Sequence, residues 1–173
     1  MSLYEKSIVA SGHQMVSRTA VEIIKEGGNA FDAATAVFFA MFITEPCMAS
    51  AGGNGFAVLK PTSEQAVFVD FFSQTPRSKD VSHPHFYPIS VDFGSETEEF
   101  HIGLASAAVP GSIAGILEIH KRYGSLPLVE LIKPARRLAI DGVVLNEFQA
   151  YDIYLLASIL GEEKTGQNIF FEN

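Results

Sequence analysis

The sequence predicts a mixed α/β fold in which helices pack against a sheet. The first observation is a stretch of alanines and large hydrophobic residues at 30–44 that has helical length. The second is a pair of short apolar runs, 56–59 and 66–72, separated by a turn. The third is a series of amphipathic stretches after residue 110. A chain of 173 residues is long enough for one domain with a sizeable core.

Two consecutive helices are predicted near the start of the chain. Residues 13–26 have apolar side chains at helical spacing, and Gly27 or Gly28 suits the left-handed position that closes a helix. Asn29 is typical of the residue that caps the next helix. Because the helix at 30–44 is apolar on every side, we expect it to be buried all round. The apolar stripe of the first helix consists of Val16, Ala20, Ile23 and Ile24.

Strands are predicted on both sides of this helical pair. Residues 7–10 have the composition of a short buried strand. The runs 56–59 and 66–72, joined by a turn at 61–64, are typical of a β-hairpin. Residues 77–100 are rich in Ser, Pro, His, Asp and Glu and have no clear period, so we expect a surface loop there.

Helices are predicted again in the last third of the chain. A helix opens at Ser112 and continues through His120. A second begins after Pro127, and Pro134 is expected to break it into two pieces. A last helix is predicted over 147–160, and the polar residues that follow show no pattern.

Composition and charge exclude several classes of function. The formal net charge is −8 and there is no basic cluster, which disfavours nucleic acid as a partner. Cys47 is the only cysteine, so an internal disulfide and a cysteine-based zinc cluster are excluded. The longest apolar run, 33–43, is too short to span a bilayer. The start lacks an apolar signal segment, so we expect a cytoplasmic protein, or a secreted or periplasmic one if a leader has been removed.

Possible reactive groups do not form a complete catalytic set. The glycine loop 52–55 can bind an anion through its N–H groups, but a tight turn that needs glycine backbone angles is favoured. His83 and His85 lack an evident third metal ligand. The short run 11–13 is better suited to capping a helix than to nucleophilic catalysis, and a lone buried thiol such as Cys47 is more often inert. No metal or cofactor is expected.

Several motifs occur together in one order along the chain. They resemble the large subunit of the γ-glutamyltranspeptidase family, and the resemblance covers about residues 7 to 150. The set is specific because each motif keeps its place relative to the others. The motifs are EGGNAFDAA (26–34), ITEP (43–46), GGNGF (52–56), VDF (69–71), VPGSIAG (109–115), YGSLP (123–127) and KPA (133–135).

The resemblance implies an N-terminal nucleophile hydrolase with an αββα sandwich. In that family a precursor cuts itself, and a newly exposed N-terminal Thr attacks a γ-glutamyl amide such as that of glutathione. The acyl group then passes to water or to an amino acid. The family's large subunit is longer than this chain, and the Thr lies beyond it. Residues 1–173 are therefore expected to be inactive alone and to need the rest of the large subunit and the small subunit as partners.

One motif departs from the family pattern. The resemblance places Asp-Phe-Arg-Glu-x-x-Pro at 70–76, with the Arg pairing with the α-carboxylate of the glutamyl group. This chain has Phe72, Ser73 and Gln74 there, and we expect these three residues to contact substrate. A phenyl ring cannot pair with a carboxylate. Arg77, five residues further on, could substitute for the missing arginine, but strand alternation and Pro76 argue against it. Two alternatives therefore stay open, an acylase or amidase acting on a non-glutamyl amide and a non-catalytic binding or structural protein.

Overall fold

The computed structural model describes residues 6–78, 82 and 85–171. Two compact units are present, one of residues 1–74 with 110–144 and the other of residues 75–109 with 145–173. The first unit contains α1 (Gln14–Lys25), α2 (Ala30–Thr44), β1 (Gly55–Leu59), β2 (Val67–Phe71), α3 (Ser112–Tyr123) and α4 (Leu128–Asp141). The second contains β3 (Tyr87–Asp92), β4 (Thr97–Ile102), a short 3-10 helix (Leu104–Ser106), α5 (Glu147–Leu155), α6 (Ala157–Leu160) and α7 (Lys164–Phe170). The mixture of helix and strand confirms the predicted fold class.

The α1–α2 hairpin forms as predicted. Gly27 has a φ of 94°, the left-handed conformation that glycine adopts most readily after a helix. Asn29 caps α2, and Asp32 completes a capping box by accepting the Asn29 N–H. Helix α2 is less enclosed than expected within the described residues, since Ala30 and Ala34 are exposed.

The first hairpin, β1–β2, packs one face against helices. Gly55 pairs with Phe71 and Leu59 with Val67, in antiparallel register. Leu59 and Phe71 are buried together with Ile119 of α3. Because side chains alternate along a strand, the opposite face carries the residues between these. That outer face is exposed and holds Phe56, Val58, Phe68 and Asp70.

The predicted break at Pro134 is wrong, because α4 runs without interruption from Leu128 to Asp141. A proline inside a helix removes one backbone hydrogen bond. Here the helix is held by its apolar face, where Leu131 is fully buried and Pro134 and Ala135 are also buried. Tertiary packing of that face outweighs the local preference of the proline.

Residues 77–100 were expected to form a surface loop, and this is wrong for the second half of the segment. Strands β3 and β4 form an antiparallel hairpin there, with Tyr87 paired to Ile102 and Asp92 to Thr97. Val91 is buried in it, and Asp92 accepts the N–H of Gly94 in the turn. Alternation along β3 is present in the sequence but is masked by Pro88 and by the acidic residues of β4.

Three further predictions differ from the structure. Residues 7–10 form no strand, since each of the two described sheets consists only of its own two strands. Val9 packs against the α1–α2 core instead. The helix predicted over 147–160 is divided at Leu156 into α5 and α6. Helix α7 lies in the polar segment for which no element was predicted. These elements are short, so local composition specifies them weakly.

Candidate functional site at the end of the first hairpin

The glycine loop is tied to the start of α3. The carbonyl of Gly53 accepts the N–H groups of Gly111 and Ser112, both at 3.1 Å. The loop was expected to need backbone angles that favour glycine, and this is wrong, because none of its glycines has a positive φ. The positive φ values of the described chain occur at glycines elsewhere. Space explains Gly55, since a Cβ there would lie 2.7 Å from Cε2 of Phe71.

Two further glycines surround Phe71, the last residue of β2. A Cβ at Gly111 would lie 1.9 Å from the Phe71 carbonyl oxygen. A Cβ at Gly115 would lie 2.2 Å from Cγ of the same residue. Such distances are far inside van der Waals contact. The motif at 109–115 therefore holds the end of β2 against α3 and fixes where the chain continues.

Phe72, Ser73 and Gln74 follow directly and were the predicted substrate contacts. The Phe72 N–H donates to Oδ1 of Asp70 at 2.9 Å, which turns the chain after the strand. The Ser73 hydroxyl accepts a hydrogen bond from Nδ2 of Asn54 at 3.2 Å. The Gln74 side chain lies against its own segment, with Nε2 3.4 Å from the Phe72 carbonyl oxygen. Ser73 thus contacts the glycine loop, whereas the Gln74 contact lies within its own segment.

Aromatic rings line the outer face of the hairpin beside these residues. The ring of Phe72 stacks on that of Phe56, with centroids 5.1 Å apart and planes 10° apart. Phe56 also stacks on Phe68, with centroids 5.6 Å apart. About half of each side chain is open to solvent, 47% for Phe72 and 56% for Phe56. We call Phe56, Phe68 and Phe72 the aromatic face.

Asn54 is a site residue that the sequence analysis did not single out. It is an exposed amide inside an otherwise small-residue loop, and its side chain reaches Ser73 across the hairpin. The signal was present, because a polar side chain between glycines is free to contact a neighbouring segment. Its partner could not be inferred, since the two residues are 19 positions apart.

A cleft of about 390 Å³ lies behind the glycine loop. Its walls combine apolar side chains of α2 with polar side chains of the loop and of α3. Cys47 is half-buried in this wall, and Ser112 is almost fully buried. Residues that line the cleft include Phe38, Met41, Cys47, Ser50, Asn54 and Ser112.

The remaining candidate groups have structural roles in the part of the chain that is described. His13 caps α1, its Nδ1 accepting the Met15 N–H at 3.1 Å, as predicted for this segment. His85 accepts the Leu104 N–H at Nδ1 over 3.0 Å, while His83 lies outside the described residues. Among the described residues, no group of three or more His, Cys, Asp or Glu is placed to hold a metal. No described helix has the length and apolar character needed to cross a bilayer.

A buried carboxylate, Asp32, stabilises the first unit. It accepts the Ser125 hydroxyl at 2.5 Å and the N–H groups of Asn29, Ser125 and Leu126 at 2.9 to 3.2 Å. Burial raises the pKa of this carboxyl, but the hydrogen bonds from Ser125, Asn29 and Leu126 outweigh it and hold the pKa below its usual 3.8. Through these hydrogen bonds, the ionised Asp32 carboxylate connects the start of α2 to the turn before α4.

Comparison with known proteins finds sequence relatives over most of this chain. The sequence profile of the gamma-glutamyltranspeptidase family matches residues 16–173. The chain is 29% identical to the glutathione hydrolase proenzyme of Escherichia coli over 97% of its own length and 28% of that protein. It is 31% identical to the acylase ACY 1 proenzyme of a Pseudomonas species, over 83% of this chain and 26% of that one.

A solved structure agrees with these sequence matches. The γ-glutamyltranspeptidase of Helicobacter pylori superposes with a TM-score of 0.79 at 28% identity, covering 96% of this chain and 47% of that one. The motif order found in the sequence therefore corresponds to a shared fold. This chain spans less than a third of the length of the Escherichia coli and Pseudomonas relatives named above.

Proposed function

Because the chain belongs to the γ-glutamyltranspeptidase family, we propose that the complete protein cleaves an amide bond and transfers the acyl group to water or to an amine. The family match over residues 16–173 carries this proposal. The glutathione hydrolase and acylase proenzymes have similar sequence identity to this chain, 29% and 31%, and both names support cleavage of an amide bond.

The reaction needs a nucleophile supplied by a segment outside this chain. As the resemblance implies, it is a Thr whose hydroxyl attacks the amide carbonyl while its own α-amine takes the proton. The amine leaving group departs with that proton and an acyl ester remains on the Thr. Water or a second amine then releases the acyl group. No step in this sequence needs a cofactor.

The described residues contribute structure and one contact surface. Helices α2 and α3 support the β1–β2 hairpin, and the glycines around Phe71 fix the end of β2. Phe72, Ser73 and Gln74 are proposed to contact the acyl part of the substrate, with Asn54 positioning Ser73.

Two acyl groups are candidates for the substrate. A γ-glutamyl group is favoured by the glutathione hydrolases among the relatives. An acyl group without an α-carboxylate is favoured by Phe72, which occupies the position where the resemblance implies an arginine. The acylase at 31% identity is consistent with the second candidate.

The proposed partner is the remainder of the same precursor. Val58 and Phe68, which pair across the hairpin and are 75% and 61% exposed, form an apolar surface on a sheet that has two strands within the described residues. An isolated two-stranded sheet is marginal in water. We propose that other segments of the processed precursor cover this surface.

Activity of the complete protein tests the proposed function. The complete protein, purified after processing, should release p-nitroaniline from a γ-glutamyl or a simple acyl p-nitroanilide. Residues 1–173 expressed alone should release none. A complete protein that processes yet cleaves no amide would support the non-catalytic alternative instead.

A further inference from the structure

The charge of the surface next to Phe72 restricts which acyl group it can bind. Residues 52–59 and 67–74 form the loop, both strands and the segment after them. Asp70 is the only ionisable residue in these two stretches. It is exposed, pairs directly with Phe56 across the hairpin, and lies on the same face as the rings. An acyl carboxylate placed here would therefore meet a negative charge and no positive one from these stretches.

The aromatic face offers apolar contact in place of charge. Phe72 and Phe56 stack nearly parallel, and Phe68 stacks on Phe56 toward the end of the hairpin that other segments are proposed to cover. About half of the Phe72 and Phe56 side chains is exposed, which leaves surface to contact a ligand. Burying apolar surface against such rings contributes roughly 25 cal/mol per Å² of area removed from water, so a ring or alkyl chain is the group this surface stabilises.

The rim of the aromatic face is polar but neutral. Asn54 and Ser73 are hydrogen-bonded to each other at 3.2 Å beside Phe72. An amide and a hydroxyl can donate to or accept from a carbonyl or hydroxyl of a ligand. Neither can replace a cation in binding a carboxylate with two parallel charge-assisted hydrogen bonds.

We infer that this enzyme acts on amides of neutral, apolar acyl groups, and that Phe72 and Phe56 bind the acyl chain while Asn54 and Ser73 contact a neutral polar group near its reactive end. This inference rests on the proposed amide-cleaving function. It selects the second of the two candidate substrates and assigns Phe56 and Asn54 to specificity together with Phe72 and Ser73.

Three p-nitroanilides test the inference with the complete, processed protein. Phenylacetyl p-nitroanilide is apolar and neutral, glutaryl p-nitroanilide carries a carboxylate, and γ-glutamyl p-nitroanilide carries a carboxylate and an amine. We expect kcat/KM for the phenylacetyl compound to exceed that of the other two by at least tenfold. A γ-glutamyl or glutaryl rate equal to or above the phenylacetyl rate overturns the inference but leaves the proposed function standing. Cleavage of none of the three, and of no other amide, overturns both.

Two substitutions test whether Phe72 determines the preference for a neutral acyl group. F72R should raise kcat/KM for the γ-glutamyl compound about tenfold and lower it for the phenylacetyl compound, because a guanidinium pairs with a carboxylate. F72L keeps an apolar side chain and should preserve the wild-type preference. F86R is the matched control, since Phe86 is also a half-exposed phenylalanine, at 48%, but lies in the second unit. An equal change of preference in F72R and F86R, or none in F72R, counts against the assignment.

Discussion

Asn29 joins two helices through a single side chain. Its Oδ1 accepts the N–H groups of Phe31 and Asp32, at 2.8 and 3.0 Å, which would otherwise have no partner at the start of α2. Its Nδ2 donates to the carbonyl of Tyr123 at 2.8 Å, at the end of α3. The side chain therefore acts as a helix cap and as a link between elements.

Replacing Asn29 by alanine should lower the free energy of unfolding by about 1 to 2 kcal/mol, the usual cost of losing a helix cap. Urea unfolding of the wild type and the variant measures this difference. N168A is the control, because Asn168 is exposed within α7 and should change the free energy by less than about 0.5 kcal/mol. An unchanged midpoint for N29A would show that the cap does not stabilise α2.

Asp32 makes stability depend on pH in one direction. Its pKa is lower in the folded protein than the ordinary 3.8, so the unfolded chain binds more protons as the pH falls through this range. The stabilisation is complete above the unfolded pKa and is lost as the pH falls through the folded value.

We therefore expect the urea midpoint to decrease as pH is lowered from about 5 to about 3, and to decrease less steeply in D32N. The amide of Asn cannot reproduce the ionised acceptor, so D32N should also be less stable than wild type at pH 7. Parallel pH profiles for the two proteins would mean that other carboxyl groups cause the acid sensitivity.

At the level of elements, β2 and α3 are locked together by close contact at glycine. Phe71 is buried between Gly55, Gly111 and Gly115, and each glycine leaves room that a Cβ would fill. Because Phe72 follows Phe71 directly, this contact determines the position of Phe72 and therefore of the proposed acyl-binding surface. A change in this packing should therefore alter stability and specificity together.

Gly115→Ala should lower the free energy of unfolding by about 1 to 3 kcal/mol, because the new methyl group overlaps Phe71 in a packed core. Thermal or urea unfolding measures the loss. G52A is the matched control, since the nearest atom to its Cβ is 3.9 Å away and its φ is not positive. Equal losses in both variants would contradict a specific role for the contact with Phe71.

On the scale of the molecule, the Val58–Phe68 part of the outer face of the first hairpin needs a covering partner. Val58 and Phe68 pair across the hairpin, and each is more than half exposed. The family's proenzymes are more than three times as long as this chain, so further segments of the same protein are the proposed cover.

Phe68→Asp should reduce the yield of processed, associated complete protein several-fold, because it places a charge in a buried apolar interface. F68L is the control at the same position and should leave the yield within about twofold, since swaps between hydrophobic residues of similar size are tolerated. Size-exclusion chromatography and gel analysis of the processed fragments give the readout. Wild-type yields from F68D would indicate that this face stays open to solvent.

The first hairpin of helices and the first hairpin of strands were predictable because their signals are local. Gly27, Asn29 and Asp32 specify a helix end and a helix start within a few residues, and the structure has all three roles. Apolar runs joined by a turn specified β1 and β2. By contrast, β3 and β4 were missed because Pro88 masked the alternation that buries Val91 in β3 and acidic residues masked it in β4.

The sequence by itself determined the mixed fold, the order of motifs that identifies the family, and the replacement of an expected arginine by Phe72. These are properties of residue types and spacing, which folding does not change. Only the tertiary structure decided that α4 continues through Pro134, that three glycines (Gly55, Gly111 and Gly115) serve close packing around Phe71, and that Asn54 contacts Ser73. Each of these depends on residues distant in the chain, and energies of packing between distant residues cannot be read from local pattern.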